Sequence, residues 1–335
     1  MSNFFLKVSR LQKGKFMFIH DAAPLLSHNF SRTDLFLVVY CMVDSYMKRR
    51  YGRSSAPRRS RQPKSNEIAD SEVMTIILVG ELCHAKRERA WLRQVRSSYS
   101  HLFPHLPEDS RFSRRAQKVR ETLRFFRYSL LHMAGADLET VRIIDSFPMP
   151  LCACYRISQS SRPISGSDFA WNASKKEFYF GLHPQLIITE KGYIEDIFLA
   201  PAQVADVQGL ASYLDECAEL KRDVSGQEWI LDKGYVSKEL KDVALKVFNV
   251  KLLARNRDKK GVKPDFWERL GDKLRRPIEG VVSFLTECFN IEHVLVRSDM
   301  GIYRRAQAKA TAFTLGRYLN EALGKPALSI AAYAV

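Results

Sequence analysis

No stretch of this chain approaches about 18 consecutive apolar residues without a charge, so no transmembrane helix is predicted. There is no CxxC pair either. The six cysteines are Cys41, Cys83, Cys152, Cys154, Cys217 and Cys288. The one close pair, Cys152 and Cys154, is separated by a single residue, which is not a zinc-site spacing. The opening Met1-Ser2-Asn3-Phe4-Phe5-Leu6-Lys7 meets charge too soon for a secretory signal. These absences predict reduced thiols in a cytosolic protein. Internal repeats are lacking as well. Wholesale disorder is excluded by a 46% hydrophobic share with mixed charge. The 335 residues suffice for one large domain or two ordinary ones with a sizeable core.

Acidic residues are scarce in the front part. Residues 1–130 hold 25 Lys and Arg against 11 Asp and Glu, a net of +14, whereas residues 131–335 hold 28 against 26, a net of +2. Such an asymmetry points to a nucleic-acid-binding front part and a more neutral rear part. A ribosome-like or membrane-surface basic region is the alternative. The extreme is Lys48–Lys64, with eight basic residues, two prolines and no acid. It cannot pack a core, and a mobile loop over about 48–66 is expected, tracking phosphates through Arg58, Arg59 and Arg61. A merely solvated linker is the plainer reading.

The apolar pattern predicts four helices in this part. Asp34–Met47 reads as mostly buried. Glu72–Cys83 follows, capped by Asp70 or Ser71, with Val73, Ile76, Ile77 and Leu82 apolar. A third run after Ala85 carries Arg87, Arg89, Arg93 and Arg96 beside Trp91, Leu92 and Val95. The fourth, Arg111–Leu131, follows a cap at Asp109 or Ser110. It sets Arg114, Arg115, Lys118 and further arginines against a stripe of Phe112, Val119, Leu123 and Phe126. Apolar and Arg-rich faces on one helix suit DNA docking, and they suit a basic surface that only touches phosphate equally well.

From residue 138 the period changes. Strands are predicted at Thr140–Ile144, Glu177–Thr189, Tyr193–Leu199, Glu228–Leu231 and Val250–Ala254. Helices are predicted at Asp206–Leu220, at Ser237–Val247 with a Ser cap, near Pro277–Phe289 and at Gln307–Leu323. The order β-β-β-α-β-α-β-α implies an α/β fold, a mixed five-stranded sheet with flanking helices. The expected division is a helical basic DNA-binding region over 1–135, a catalytic domain over 136–325 and a tail over 326–335.

Three acids stand at the ends of these elements. Asp145 closes Val141-Arg142-Ile143-Ile144, Asp232 closes Glu228-Trp229-Ile230-Leu231, and Glu279 lies in Arg275-Arg276-Pro277-Ile278-Glu279, read as the start of a helix. A carboxylate straight after an apolar run is costly unless used. Three of them in a chain of charge +16 suggest a site that gathers negative charge for a divalent cation. A lone Asp after a strand is otherwise a cap, and acids suit a helix N-terminus. Asp272, Glu287 and Asp299 are rivals for the third place. Cleaving a phosphodiester needs charge neutralised on the phosphate, an activated oxygen nucleophile and a stabilised leaving oxygen. Two Mg2+ ions do all three, and Mg2+ prefers carboxylate and water oxygens. His183, expected on the second strand, is a candidate for the metal site or the scissile phosphate, a core histidine being the alternative. Lys233 and Tyr235 beside Asp232 are candidate DNA contacts. Arg255, Arg257, Lys259, Lys260 and Lys263 form a basic loop. Arg275 and Arg276 could clamp the backbone, and Trp171 could stack on a displaced base or simply anchor a loop. Cys288 reads as packing.

The segments Ile143-Ile144-Asp145-Ser146, Phe180-Gly181-Leu182-His183, Leu231-Asp232-Lys233-Gly234-Tyr235 and Arg275-Arg276-Pro277-Ile278-Glu279 occur in ribonuclease-H-like order. There are 86 residues between the two Asp and 46 between Asp232 and Glu279. In this the chain resembles the DDE transposases of bacterial insertion sequences, over about residues 30 to 325. Through Ile144-Asp145-Ser146-Phe147-Pro148-Met149-Pro150 and the closing Lys309–Leu319 helix, it looks closest to the insertion-sequence 982 group. The related insertion-sequence 4 group places Tyr, Arg, Glu and Lys along its last catalytic helix. Arg275 fits the Arg place, but Asp272 stands at the Tyr place and Thr286 at the Lys place. The resemblance implies a ribonuclease-H-like catalytic domain with Asp145, Asp232 and Glu279 as catalytic and metal-binding residues. Two Mg2+ ions would serve, Mn2+ substituting, with Asp145 bridging them. It also implies hydrolysis at the transposon end and attack of the 3′-hydroxyl on target DNA, double-stranded DNA as partner, a homo-oligomer on DNA, no membrane, and a bacterial cytoplasm at the nucleoid. Two alternatives stand: a metal nuclease of this fold without strand transfer, and a DNA-binding protein with a decayed catalytic domain.

Overall fold

The computed structural model describes residues 31–52, 67–152, 167–172, 175–235, 237–254, 266–294, 296 and 298–330, with the backbone alone at residue 152 and over 266–275. Among the described residues, no helix is long and apolar enough to cross a membrane. They form two compact units, one up to Ser129 and again from Thr311, the other Leu130–Ala310. The grouping of Thr311 onward with the front residues was not expected.

The first unit is helical. Helix α1 (Arg32–Tyr51) starts at Ser31, whose hydroxyl accepts the Asp34 N–H while the Asp34 carboxylate accepts the Ser31 N–H at 2.9 Å. It stops at Gly52, which takes the left-handed backbone (φ 65) that glycine adopts without strain. The helix thus runs four residues past the expected Met47. The remainder of the basic loop, with Arg58, Arg59 and Arg61, lies outside the described residues. Helix α2 (Asp70–Leu82) begins without either predicted cap; the Glu72 carboxylate instead takes the Ala69 N–H at 2.6 Å. Helix α3 (Glu88–Ser98) brings Trp91 over α2, where its indole N–H donates to the Ile76 carbonyl at 2.9 Å. The single predicted helix Arg111–Leu131 is two, α4 (Asp109–Lys118) and α5 (Arg120–Met133). At the break the Arg120 guanidinium takes the Gln117 carbonyl at 3.0 Å, an acceptor the continuing ladder would have used.

The second unit holds the sheet. Strands β1 (Val141–Ser146), β5 (Gln185–Thr189), β6 (Ile194–Phe198), β7 (Glu228–Leu231) and β8 (Lys251–Ala254) lie in the order β6-β5-β1-β7-β8. The pairs β1/β5 and β5/β6 are antiparallel, and β1/β7 and β7/β8 are parallel. Counted along the chain this is 3-2-1-4-5, the ribonuclease-H-like mixed sheet. On one face Ile144, Ile187, Trp229, Leu231 and Leu252 pack with Leu210, Tyr213 and Leu214 of α6 (Asp206–Glu219) and Leu240 and Ala244 of α7 (Lys238–Phe248). Helix α8 (Phe266–Glu287) packs against β1 and β7, with Ile278, Val281 and Leu285 buried. The closing helix is α9 (Asp299–Ala322), eight residues earlier at its start than the expected Gln307.

Three expectations need correction here. The strand predicted over Glu177–Thr189 is two strands in different sheets. β4 (Glu177–Leu182) joins β2 (Met149–Cys152) and β3 (Asp168–Asn172) in a separate antiparallel sheet of order β2-β4-β3, and only β5 enters the main sheet. Pro184 explains the division, since it offers no N–H to a ladder. β2 and β3 were not foreseen; β3 contains Trp171, for which a loop anchor was one of the two readings. Helix α8 starts eleven residues before Pro277, so this proline and Glu279 lie inside the helix rather than at its opening.

Candidate active site

The register of β1 and β7 decides where the two aspartates lie. Ile143 is level with Ile230, and Ile144 with Leu231. Asp145 and Asp232 are the next residues on each strand, so they emerge side by side at the C-terminal ends of adjacent parallel strands, roughly 4.8 Å apart by strand spacing. Alternation turns Ile144 and Leu231 toward α6 and α7, and sends Asp145 and Asp232 to the α8 side. Both carboxylates are half-buried. Asp145 Oδ1 accepts the Ser146 N–H at 2.9 Å, and Asp232 Oδ1 accepts the Lys233 N–H at 2.7 Å. These local bonds orient each carboxylate as its strand ends.

Beneath the pair, on the α6 side, is a polar group that the sequence pattern does not single out. The Ser146 hydroxyl donates to Asp206 Oδ1 at 2.6 Å. Asp206 is the first residue of α6, and an acid there has a sufficient explanation in the helix dipole, which hides it in sequence. His183 is not on a strand but in the two-residue link between β4 and β5, where its N–H donates to the Ala200 carbonyl at 2.7 Å. Burial holds its imidazole below the ordinary 6.5, against the opposing pull of Asp206. Tyr235, expected at a DNA surface, is buried instead, and its hydroxyl donates to the Gln185 side chain. Its apolar ring belongs to the core under the sheet. Burial first, then the charges of Asp206, Asp145 and Asp232, push its phenol well above 10.0, against a hydrogen bond with Ser146.

Glu279 lies apart from this arrangement. Its neighbour Ile278 faces the core, and Glu279 is exposed on α8. Among the described residues, no three or more His, Cys, Asp or Glu side chains gather closely enough to hold a metal ion. The three expected acids therefore do not converge here; the register brings together two. Of the rivals, Glu287 accepts the Ser283 hydroxyl at 2.8 Å, Asp299 is exposed at the start of α9, and the side chain of Asp272 lies outside the described residues.

Residues 135–299 match the family model for the Transposase DDE domain. That segment contains β1 to β8, both aspartates, Asp206 and Glu279, so the similarity to a transposase DDE domain covers the sheet and the paired carboxylates. No curated protein matches the chain in sequence. A cryo-EM structure of the piggyBac transposase synaptic complex with hairpin DNA is similar, at 10% identity and a TM-score of 0.43, over 92% of this chain and 80% of that one.

Domains of the DDE type generally work with divalent metal ions, and the donor chemistry here fits one. Asp145 and Asp232 offer hard oxygen atoms at adjacent strand ends, and Mg2+ is commonly held by one or two carboxylates completed by water and substrate phosphate. The basic residues divide. In the second unit Lys233 and Arg276 are exposed. In the first unit Arg114 and Lys118 are exposed on α4. Arg115, expected among the DNA contacts, is drawn inward: its guanidinium reaches Asp70 Oδ1 and the Ile68 carbonyl, each at 2.6 Å. A buried carboxylate at α2 needs that partner, which accounts for the correction. Arg255, Arg257, Lys259, Lys260, Lys263 and the side chain of Arg275 lie outside the described residues. Trp171 is exposed on β3 and meets Phe178 of β4 edge to face at 4.9 Å.

Proposed function

We propose that this chain is a transposase that binds transposon-end DNA, cleaves it by metal-assisted hydrolysis and joins the freed 3′ ends to target DNA. The observation that carries the reading is the parallel register of β1 and β7, which sets Asp145 beside Asp232 within the segment matched by the Transposase DDE domain. The two carboxylates would hold divalent cations, Mg2+ with Mn2+ as substitute, which supply charge neutralisation at the scissile phosphate and a more acidic water. Asp145 sits on the central strand and would hold the cation together with Asp232. Glu279, exposed on α8, is the proposed third acid. Lys233, next to Asp232, is proposed to take a phosphate beside the cut, and Arg276 with Arg275 to hold the backbone near Glu279. Arg114 and Lys118, with Arg58, Arg59, Arg61, Arg255 and Arg257, are proposed to add phosphate contacts that give affinity without sequence choice. No covalent enzyme intermediate is needed.

The proposed partners are double-stranded DNA, as transposon end and as target, and further copies of the chain assembled on it. The proposed setting is the nucleoid of a bacterium, and the proposed subgroup is insertion-sequence 982. A DNA fragment carrying the sequence that flanks the coding region, incubated with the protein, Mg2+ and a target plasmid, tests the reading. Joined fragment–plasmid products are expected. Cuts without joined products would reject strand transfer and leave a nuclease of this fold.

A further inference from the structure

Asp206 touches both chain segments that follow the paired aspartates. Its Oδ1 takes the Ser146 hydroxyl at 2.6 Å, and Ser146 in turn donates its N–H to Asp145 Oδ1 at 2.9 Å. On its other side, Gly234 comes so near that a Cβ there would lie 2.7 Å from Asp206 Oδ2. Gly234 stands in the 3₁₀ turn Lys233–Tyr235, which is tied back to Asp232 by the Tyr235 N–H on the Asp232 carbonyl at 3.0 Å. The ladder between β1 and β7 ends at Ile144 and Leu231, one residue short of the aspartates. Beyond it, Asp206 lies against both strand ends, bonded to Ser146 and close against Gly234, and Tyr235 also reaches Ser146. Its helix is firmly seated, since Leu210, Tyr213 and Leu214 of α6 are buried against the sheet.

We propose that Asp206 is a positioning residue: bonded to Ser146 and packed against Gly234 at the start of α6, it sets the spacing between the Asp145 and Asp232 carboxylates. It works from the opposite side of the sheet, because alternation points Ser146 toward α6 when Asp145 points toward α8. The proposal rests on reading Asp145 and Asp232 as the metal-holding pair. Two carboxylates that share a cation bind it best when their separation is preset, and removing the residues that orient such ligands typically costs about 10- to 100-fold in affinity.

Binding of Mn2+ to the full chain, followed by electron paramagnetic resonance without DNA or turnover, reads this spacing. Asp206→Ala removes the tie. Gly234→Ala leaves Asp206 in place but drives a methyl group against its carboxylate. Each is expected to weaken Mn2+ binding by about 10-fold or more. Asp206→Asn keeps an acceptor for the Ser146 hydroxyl and the same shape, and is expected to restore binding to near that of the unmodified protein. Asp145→Ala separates the two readings. If it leaves Mn2+ binding intact, the metal-site reading itself fails. If it abolishes binding while Asp206→Ala and Gly234→Ala retain it, the positioning role alone is overturned. An Asp206→Asn variant as weak as Asp206→Ala also overturns it, since charge rather than shape would then be the cause.

Discussion

Burial disfavours the protonated imidazole of His183, with the Asp206 charge opposing. Its folded pKa is thus depressed below the 6.5 expected of the unfolded chain. Below that value the unfolded chain takes up a proton that the folded one refuses. Stability contributed at neutral pH is therefore lost as pH falls from 6.5 toward the folded pKa. Denaturation at pH 7 and pH 5 should show the unmodified protein losing more stability on acidification than His183→Gln; equal losses would mean that the ring titrates normally. Asp145 and Asp232 could be picked out from sequence because each interrupts an apolar strand, where a carboxylate has no cheap explanation. Asp206 could not, because an acid opening a helix has one. Tyr235 and Arg115 misled for a related reason: a polar tip says nothing of whether the side chain meets solvent or a buried partner such as Gln185 or Asp70.

The elements that repeated cleanly in sequence are those that the structure keeps. Glu228–Leu231 is observed at the predicted residues, and Ser237 caps α7 with its hydroxyl on the Leu240 N–H at 3.2 Å. Four of the five main strands were legible because alternation and short apolar runs are local signals, whereas β5 was run together with β4. The second sheet was not, since its pairing depends on contact between segments far apart in the chain. There Gly181 of β4 lies against β2 so closely that a Cβ would collide with the Met149 carbonyl oxygen. Backbone cannot yield as a flexible side chain can. Gly181→Ala is expected to destabilise the protein by about 3 kcal/mol, lowering Tm by about 2–4 °C for each kcal/mol. An unchanged Tm in thermal denaturation would contradict the β2–β4 approach. The helix α8 shows the same limit of local signals: Pro277 reads as a helix start, yet the turns before it place the proline inside.

For the whole molecule the governing quantity is charge. The surplus lies in the first 130 residues, at +14 of the total +16, where Arg114 and Lys118 stand exposed on α4. Each lysine or arginine that neutralises a phosphate releases counterions, so the dependence of affinity on salt counts the neutralised phosphates. Replacing Arg58, Arg59 and Arg61 together by Ala should lower DNA affinity and flatten the slope of log K against log salt, by about 0.9 for each phosphate no longer neutralised. Fluorescence anisotropy over a salt series measures this, and an unchanged slope would exclude these residues from phosphate binding. The charge division was plain in the sequence because it is a matter of composition. The return of Thr311 onward to the first unit was not, because a long buried helix carries no mark of which core it will fill.

Single-turnover cleavage of the flanking-sequence DNA in Mg2+ tests most directly whether Asp145 and Asp232 form the catalytic pair. With DNA affinity retained, Asp145→Ala and Asp232→Ala should each slow cutting by more than the about 100-fold that removing a merely supporting residue can cause. Cutting by Asp145→Ala at the unmodified rate would contradict the assignment.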